Sequence, residues 1–355
     1  DPAFFELVDR LTTASDAPID SLPNPKPLHL AALRTAQIVI PDDAIVSTTP
    51  AVLRTIGVSP NARLETRLEA AERAVEFGAM PATRLAEIYM AEKFDPDELN
   101  NALSLAAADR SPRGRALLFQ SAQIESLALS RAAVLAKALE IATEENRYLH
   151  VIDVYRTPLA NLAASSEMAW FAPEAARALY ALDRPLPARN WLAELRNASA
   201  RNPQFASAIA GVWLIGLLTD SSGTDENFEA NLLAWIQHHK NSEKKDWTTK
   251  AAAGLRLLES IGYVVPDEAW WQVLDGPSLA ETQRSRPGLR TAIIRAAAGG
   301  RRAETVMLIL LRFGKTGPDI SDVDAVADAV VALRTIGLEN EAKRLVLELA
   351  ATAGL

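Results

Sequence analysis

The chain is 355 residues long, carries 37 Lys and Arg against 45 Asp and Glu for a net charge of −8, and contains no cysteine. Without thiols there is no disulfide scaffold, no cysteine nucleophile and no cysteine-ligated zinc or iron–sulfur centre, and the acidic balance puts nucleic acid outside the expected partners. Hydrophobic residues make up 49% and aromatics only 6%, an Ala- and Leu-dominated mixture that favours close-packed helices because neither residue loses much side-chain freedom there.

Phe4, Phe5, Leu7, Val8 and Leu11 predict a short apolar helix over 3–11. Pro18, Pro23, Pro25 and Pro27 forbid helix across 12–27 and predict an extended strap laid over a surface. Residues 30–40 read as a helix ending before Pro41, against the β-branched Ile38, Val39 and Ile40; residues 51–56 read as a helix closed by Gly57. Residues 1–61 are therefore expected to form a less regular, Pro-rich N-terminal segment, and 62–355 the main body.

From Ala62 onward the pattern is steady. Leu64, Leu68, Ala71 and Val75 line one helical face. Helix-ending phrases follow at Gly78, between Asp109 and Pro112, between Glu144 and Arg147, between Leu182 and Pro185, between Thr219 and Gly223, and at Gly262, Gly299-Gly300 and Gly337. They recur roughly every 34 to 39 residues, the period of stacked helical hairpins. The pentapeptide Leu53-Arg54-Thr55-Ile56-Gly57 returns as Leu333-Arg334-Thr335-Ile336-Gly337, and both copies are read as the same turn device. No run approaches the ~18 apolar residues that a membrane span requires.

The period and the alternation of Ala with aromatics, clearest over 176–197 (ARALYALDRPLPARNWLAELRN), resemble the tetratricopeptide-like α-solenoids. No single repeat carries the Trp, Leu-Gly, Tyr and terminal Pro signature of that family. The closing phrase Arg334-Thr335-Ile336-Gly337-Leu338 also looks like that of a group of bacterial Ala/Leu-rich helical proteins, a resemblance that carries no activity. The expected fold is all-α: a right-handed α-solenoid of about eight irregular hairpins over 62–355, with a concave inner wall.

Reactive constellations are missing. The four histidines are His29, His150, His238 and His239, and none forms the i, i+4 pair with glutamate of a zinc protease. No nucleophile elbow, P-loop or dinucleotide-binding glycine motif occurs. Glu125-Ser126 and Glu259-Ser260 offer the Glu-Ser dipeptide of soluble lytic transglycosylases, which join an Ala-rich superhelix to a catalytic domain, but the Gly-Leu-Met-Gln phrase does not follow either. No catalytic residue, metal or cofactor is expected.

The seven tryptophans, Trp170, Trp191, Trp213, Trp235, Trp247, Trp270 and Trp271, all fall near the middle of the chain. Trp270 and Trp271 diverge by about 100° on a helix, so one of them must lie toward a flank or a partner. With Trp247 in its Lys-rich surroundings, Tyr263, and the arginines Arg284, Arg286 and Arg290, they make the expected partner-binding set: aromatic anchors beside groups that pair carboxylate or phosphate. The expected function is a non-catalytic scaffold or adaptor for a protein or peptide. The alternatives are a cell-wall glycan-binding or degenerate lytic-transglycosylase-like domain, and a self-assembling structural protein. The last rests on the C-terminal hairpin, whose Leu345, Val346, Leu347 and Leu349 exceed one narrow stripe. The start at Asp1 tilts the expected location towards the bacterial envelope, and either a removed signal peptide or anchor upstream, or simple trimming, accounts for it.

Overall fold

The computed structural model describes residues 5, 6, 8, 9 and 13, then 19–46, 48–219, 227–241, 246–274, 287–314 and 317–355. Among these residues the protein is all-α: twenty α-helices and three 3₁₀ turns, with one isolated bridge from Ile40 to Ala62. No helix among them is long and apolar enough to cross a membrane. The chain divides into two compact units, Asp1–Pro158 and Leu159–Leu355. The expected boundary at 61/62 lies inside the first.

The first unit begins with α1 (Pro27–Thr35), which has Pro27 in its first turn, where a missing N–H costs nothing. It ends earlier than the sequence suggested. Gln37 takes a left-handed φ of 58°, and the β-branched run at Ile38 to Ile40 leaves the helix for the bridge. The proline segment ahead of α1 is tied down by Asp43, whose carboxylate accepts from the Leu22 N–H at 2.9 Å. Then follow α2 (Pro50–Gly57), α3 (Leu64–Glu76), α4 (Ala82–Ala91), α5 (Pro96–Asn100), α6 (Ala102–Ala108), α7 (Pro112–Ile124), α8 (Ala128–Glu144) and α9 (Tyr148–Val154), and the unit ends within α10 (Arg156–Asn161). Helix α7 is central, packed on α3, α4, α5, α6 and α8. Its Phe119 lies between Tyr89 and Tyr155, with centroids 5.6 and 5.1 Å away.

The second unit comprises α11 (Ala172–Ala181), α12 (Pro185–Arg201), α13 (Gln204–Thr219), α14 (Phe228–Asn241), α15 (Trp247–Ile261), α16 (Asp267–Trp271), α17 (Pro287–Ala298), α18 (Arg302–Phe313), α19 (Val323–Thr335) and α20 (Glu339–Ala353). Trp191 and Trp235 are fully buried in its core. Helix α20 packs on α11, α13, α15 and α19, whereas in a linear stack a terminal helix touches only its chain neighbours. Val346, Leu347 and Leu349 are buried there. Three of the four apolar residues expected to seat a second copy are therefore core, and Leu345 is half-buried.

Of the eight helix ends expected from Gly78 onward, seven coincide with observed ones, the break at Thr219–Gly223 falling mostly outside the described residues, and six share one device. The residue just past the helix is left-handed: Gly78, Asn146, Asp183, Gly262, Gly300 or Gly337. The next N–H then reaches back to a carbonyl five residues earlier, Ala79 to Ala74 and Arg147 to Ala142 at 2.8 Å, Arg184 to Leu179 at 2.8 Å, Tyr263 to Leu258 and Arg301 to Ala296 at 3.0 Å, and Leu338 to Leu333 at 2.9 Å. This closure satisfies carbonyls that the helix leaves open. Asn and Asp serve in two of the six because their short polar side chains tolerate the left-handed region.

The repeated pentapeptide is not one device. Leu53, Ile56, Leu333 and Ile336 are all buried, and Thr55 and Thr335 both donate to the carbonyl four residues back. The glycines differ. Gly337 is left-handed at φ 76°, whereas Gly57 ends α2 so close to α3 that a Cβ would lie 2.9 Å from the Ala71 backbone. One supplies conformation and the other supplies space.

Candidate functional site

A groove of about 430 Å³ lies beside α20 in the second unit. Its apolar wall comes from Leu217 and Leu218 of α13, Ile261 at the end of α15, and Val346 of α20. Its polar rim comes from Arg334 of α19 and from Glu339, Asn340 and Lys343 of α20. The left-handed turn at Gly262 brings Tyr263 into the wall. That ring stacks on Phe228 at 5.4 Å and 8°, and Phe228 in turn lies 5.8 Å from Trp213.

Arg334 donates from Nη1 to the Ser260 carbonyl at 2.9 Å and from Nε to Glu339 at 3.2 Å. Its cation thus sits at the negative end of the α15 dipole, and it is held in place before any ligand arrives. Lys343 is 3.6 Å from the exposed Asp183, a loose pair that an incoming carboxylate exchanges at little cost. Two cations, one carboxylate, an exposed amide and an apolar floor are the makings of a site that binds. Among the described residues no group of three or more metal-ligating side chains is placed to hold an ion.

The residues expected from the sequence are distributed as follows. Tyr263 is in the groove wall. Trp247 begins α15, half-buried, with the Lys240 ammonium 5.9 Å from its ring. Trp270 is half-buried and donates from Nε1 to Glu259 at 3.0 Å, while its neighbour Trp271 is 61% exposed, the divergence that helical geometry requires. Arg290 is on α17 with its guanidinium paired to Asp328 of α19 at 2.6 Å. Arg284 and Arg286 lie outside the described residues. Arg334, Asn340 and Lys343 were not singled out. The signal for Arg334 was present, since it belongs to the repeated pentapeptide that was read only as a turn.

The first unit holds a buried charge cluster that the sequence did not announce. Glu72 of α3 is fully buried. Arg115 of α7 donates to it from Nε at 3.0 Å and Nη2 at 2.6 Å, Arg147 from Nη2 at 2.7 Å, and the Tyr89 hydroxyl of α4 also donates. Glu145 is 3.2 Å from Arg115. Glu76 stands 2.7 Å from Arg147 Nε as an ion pair, although that N–H has no aligned acceptor. Burial pushes the Glu72 carboxyl upward, but the Arg115 hydrogen bond and the two guanidinium charges outweigh it, and the group lies below its ordinary value. Burial and the adjacent Glu72 charge raise Tyr89 well above its ordinary value.

Beside this cluster is a small cavity of about 30 Å³, lined by Tyr155, His150 and apolar side chains of α7, α8 and α9. That is room for about one or two waters. Each charged member is already paired, so the cluster fixes α3, α4, α7 and the start of α9 relative to one another.

Comparison with protein-family models, with curated proteins and with solved structures gave no match.

Proposed function

We propose that this chain is a non-catalytic binding scaffold of helical hairpins, and that the groove beside α20 takes side chains of a protein or peptide partner. The observation that carries this reading is the groove itself, an apolar floor of Leu217, Leu218, Ile261 and Val346 under a rim of Arg334, Asn340 and Lys343. An apolar side chain fits the floor, and an acidic or amide group fits the rim. The tetratricopeptide-like resemblance is kept as a proposal for the hairpins within each unit. The shared closing turn supports it, and the return of α20 onto α11 and α13 is how such an array would end in the second unit. Trp271 is proposed as a flanking anchor beyond the groove.

The test is a pull-down with the tagged chain beside an Asn340→Arg/Lys343→Glu variant. Both positions are on the groove rim outside the core, so the variant keeps its fold, checked by circular dichroism. A protein recovered by the parent chain and lost from the variant supports the reading. Equal recovery from both removes the groove from it.

A second reading, glycan binding, is favoured by a different feature. A shallow dish of about 400 Å³ is lined by Trp170, Phe205, Ser166, Glu167, Arg201 and Asn202. An open indole face with hydroxyl, amide and charged groups around it suits a sugar ring. Tryptophan fluorescence titrated with soluble peptidoglycan fragments tests it: quenching that disappears in Trp170→Ala supports it, and an unchanged spectrum excludes it.

A further inference from the structure

The cavity beside the Glu72 cluster is independent of the groove, since every residue that lines it belongs to the first unit. His150, Val151, Val154 and Tyr155 line it from α9 and the residue just past that helix. Their i, i+1, i+4, i+5 spacing puts all four on one side of the helix. Leu118 of α7 and Ile141 of α8 add apolar wall. A cavity with only such a wall stays dry, whereas buried polar groups without protein partners hold water.

Tyr155 supplies such a group. It is 3% exposed, with its ring edge-on to Phe119, and its hydroxyl has no hydrogen-bond partner among the described residues. Glu72 cannot serve, because donors from Arg115, Arg147 and Tyr89 already fill its two oxygens. Polar side-chain atoms that are both unpartnered and closed to water do occur in this fold, Trp235 Nε1 and Thr248 Oγ1 among them, but the Tyr155 hydroxyl is not one. It has access to water, and the opening that Tyr155 lines is this cavity. Burial pushes the hydroxyl above its ordinary value and the Glu72 charge adds to the effect, so it keeps a proton to donate. His150 is the second polar group, half-buried and without a hydrogen bond to either ring nitrogen among the described residues. Burial holds it below its ordinary value, and the neutral ring offers one donor and one acceptor.

We propose that this cavity is a hydration site, holding one or two ordered waters anchored by the Tyr155 hydroxyl at its buried side and by the His150 imidazole toward the surface. Size selects the ligand: about 30 Å³ admits one or two waters and nothing as large as a metabolite. Chemistry agrees, since a water both accepts from the Tyr155 hydroxyl and donates to the imidazole or to a neighbouring oxygen. The site completes the hydrogen bonding that the chain leaves undone at the end of α9. It also extends the polar network of Glu72, Arg115 and Tyr89, which line the same cavity, to the turn that leads into α10.

The experiment compares high-resolution crystal structures of the full chain and of Tyr155→Phe, which keeps the ring against Phe119 and removes only the hydroxyl. The expected result in the parent chain is a water peak about 2.6–3.0 Å from the Tyr155 oxygen, and its loss from the variant. Oxygen-17 relaxation dispersion makes the same comparison in solution, where the variant should hold about one or two fewer long-lived waters. A parent cavity with no peak at the hydroxyl, or a peak that stays in Tyr155→Phe, overturns the proposal. So does equal long-lived hydration of the two proteins, or xenon taken up in the parent cavity under pressure, the mark of a dry apolar space. Failure here leaves the groove reading standing, because the cavity and the groove belong to different units.

Discussion

Replacing Glu72 by Gln tests the reasoning about the buried cluster most sharply. The shapes match, so the change removes a charge and leaves little void. The two guanidinium groups of Arg115 and Arg147, with side chains only 14 and 17% exposed, would then face each other without the carboxylate between them. Removing one partner of a buried ion pair costs about 3–5 kcal/mol. Glu76 and Glu145 remain within ion-pair distance of the same arginines, which puts the expectation at the lower end, about 3 kcal/mol. For a unit of this size each kcal/mol moves the melting temperature by about 2–4 °C, so calorimetry at pH 7 should show a fall of roughly 6–12 °C in one transition. The sign of the pH dependence follows from the depressed Glu72 carboxyl. Its stabilisation is present above the unfolded value, about 4.3, and is lost as pH falls through the folded value. The deficit of Glu72→Gln should therefore shrink in acid. A shift below about 2 °C at pH 7, or a deficit that grows in acid, would refute this account of the cluster.

His150 lies below its ordinary value because burial disfavours its cation, with Arg147 adding to the effect. Its contribution to stability is present above about pH 6.5 and declines as pH falls below it, and in His150→Gln denaturant titrations that part of the slope should flatten. The two pentapeptide glycines should respond differently to asparagine: Gly337→Asn should cost under about 1 kcal/mol because Asn tolerates the left-handed region, whereas Gly57→Asn should cost about 1–3 kcal/mol through the clash at Ala71. Equal costs would contradict the distinction. Gly254→Ala should lose about 1–3 kcal/mol, since a Cβ there would lie 2.3 Å from the buried Trp235 ring, and urea titration measures it.

The helical class and the hairpin breaks were legible because they are local. A left-handed residue and a carbonyl five positions back are neighbours in sequence, so Gly78, Gly262, Gly300 and Gly337 announce the turn by themselves, and Asn146 and Asp183 do so nearly as well. What the sequence hid depends on distant residues meeting. Glu72 finds its arginines 43 and 75 positions away, and no periodicity links them. The return of α20 onto α11 was invisible for the same reason, which is why its wide apolar surface read as an open end. Identical local letters also misled. Gly57 and Gly337 share a pentapeptide, but only the approach of α3 makes one of them a matter of space. For the candidate site, Tyr263 was found by residue type, while Arg334 and Lys343 were overlooked because arginine and lysine on helices are mostly solvated and only the packing of α13, α15 and α20 makes these two a rim.

The central claim, that the groove beside α20 receives a partner, is tested most directly by a photo-crosslinking amino acid placed at Asn340 and, as a control, at the exposed Arg84 of α4. The account expects a discrete protein adduct from position 340 that is absent from position 84 and absent when Lys343→Glu is added. The same adducts from both positions, or none from position 340 in a chain that melts normally, would contradict it.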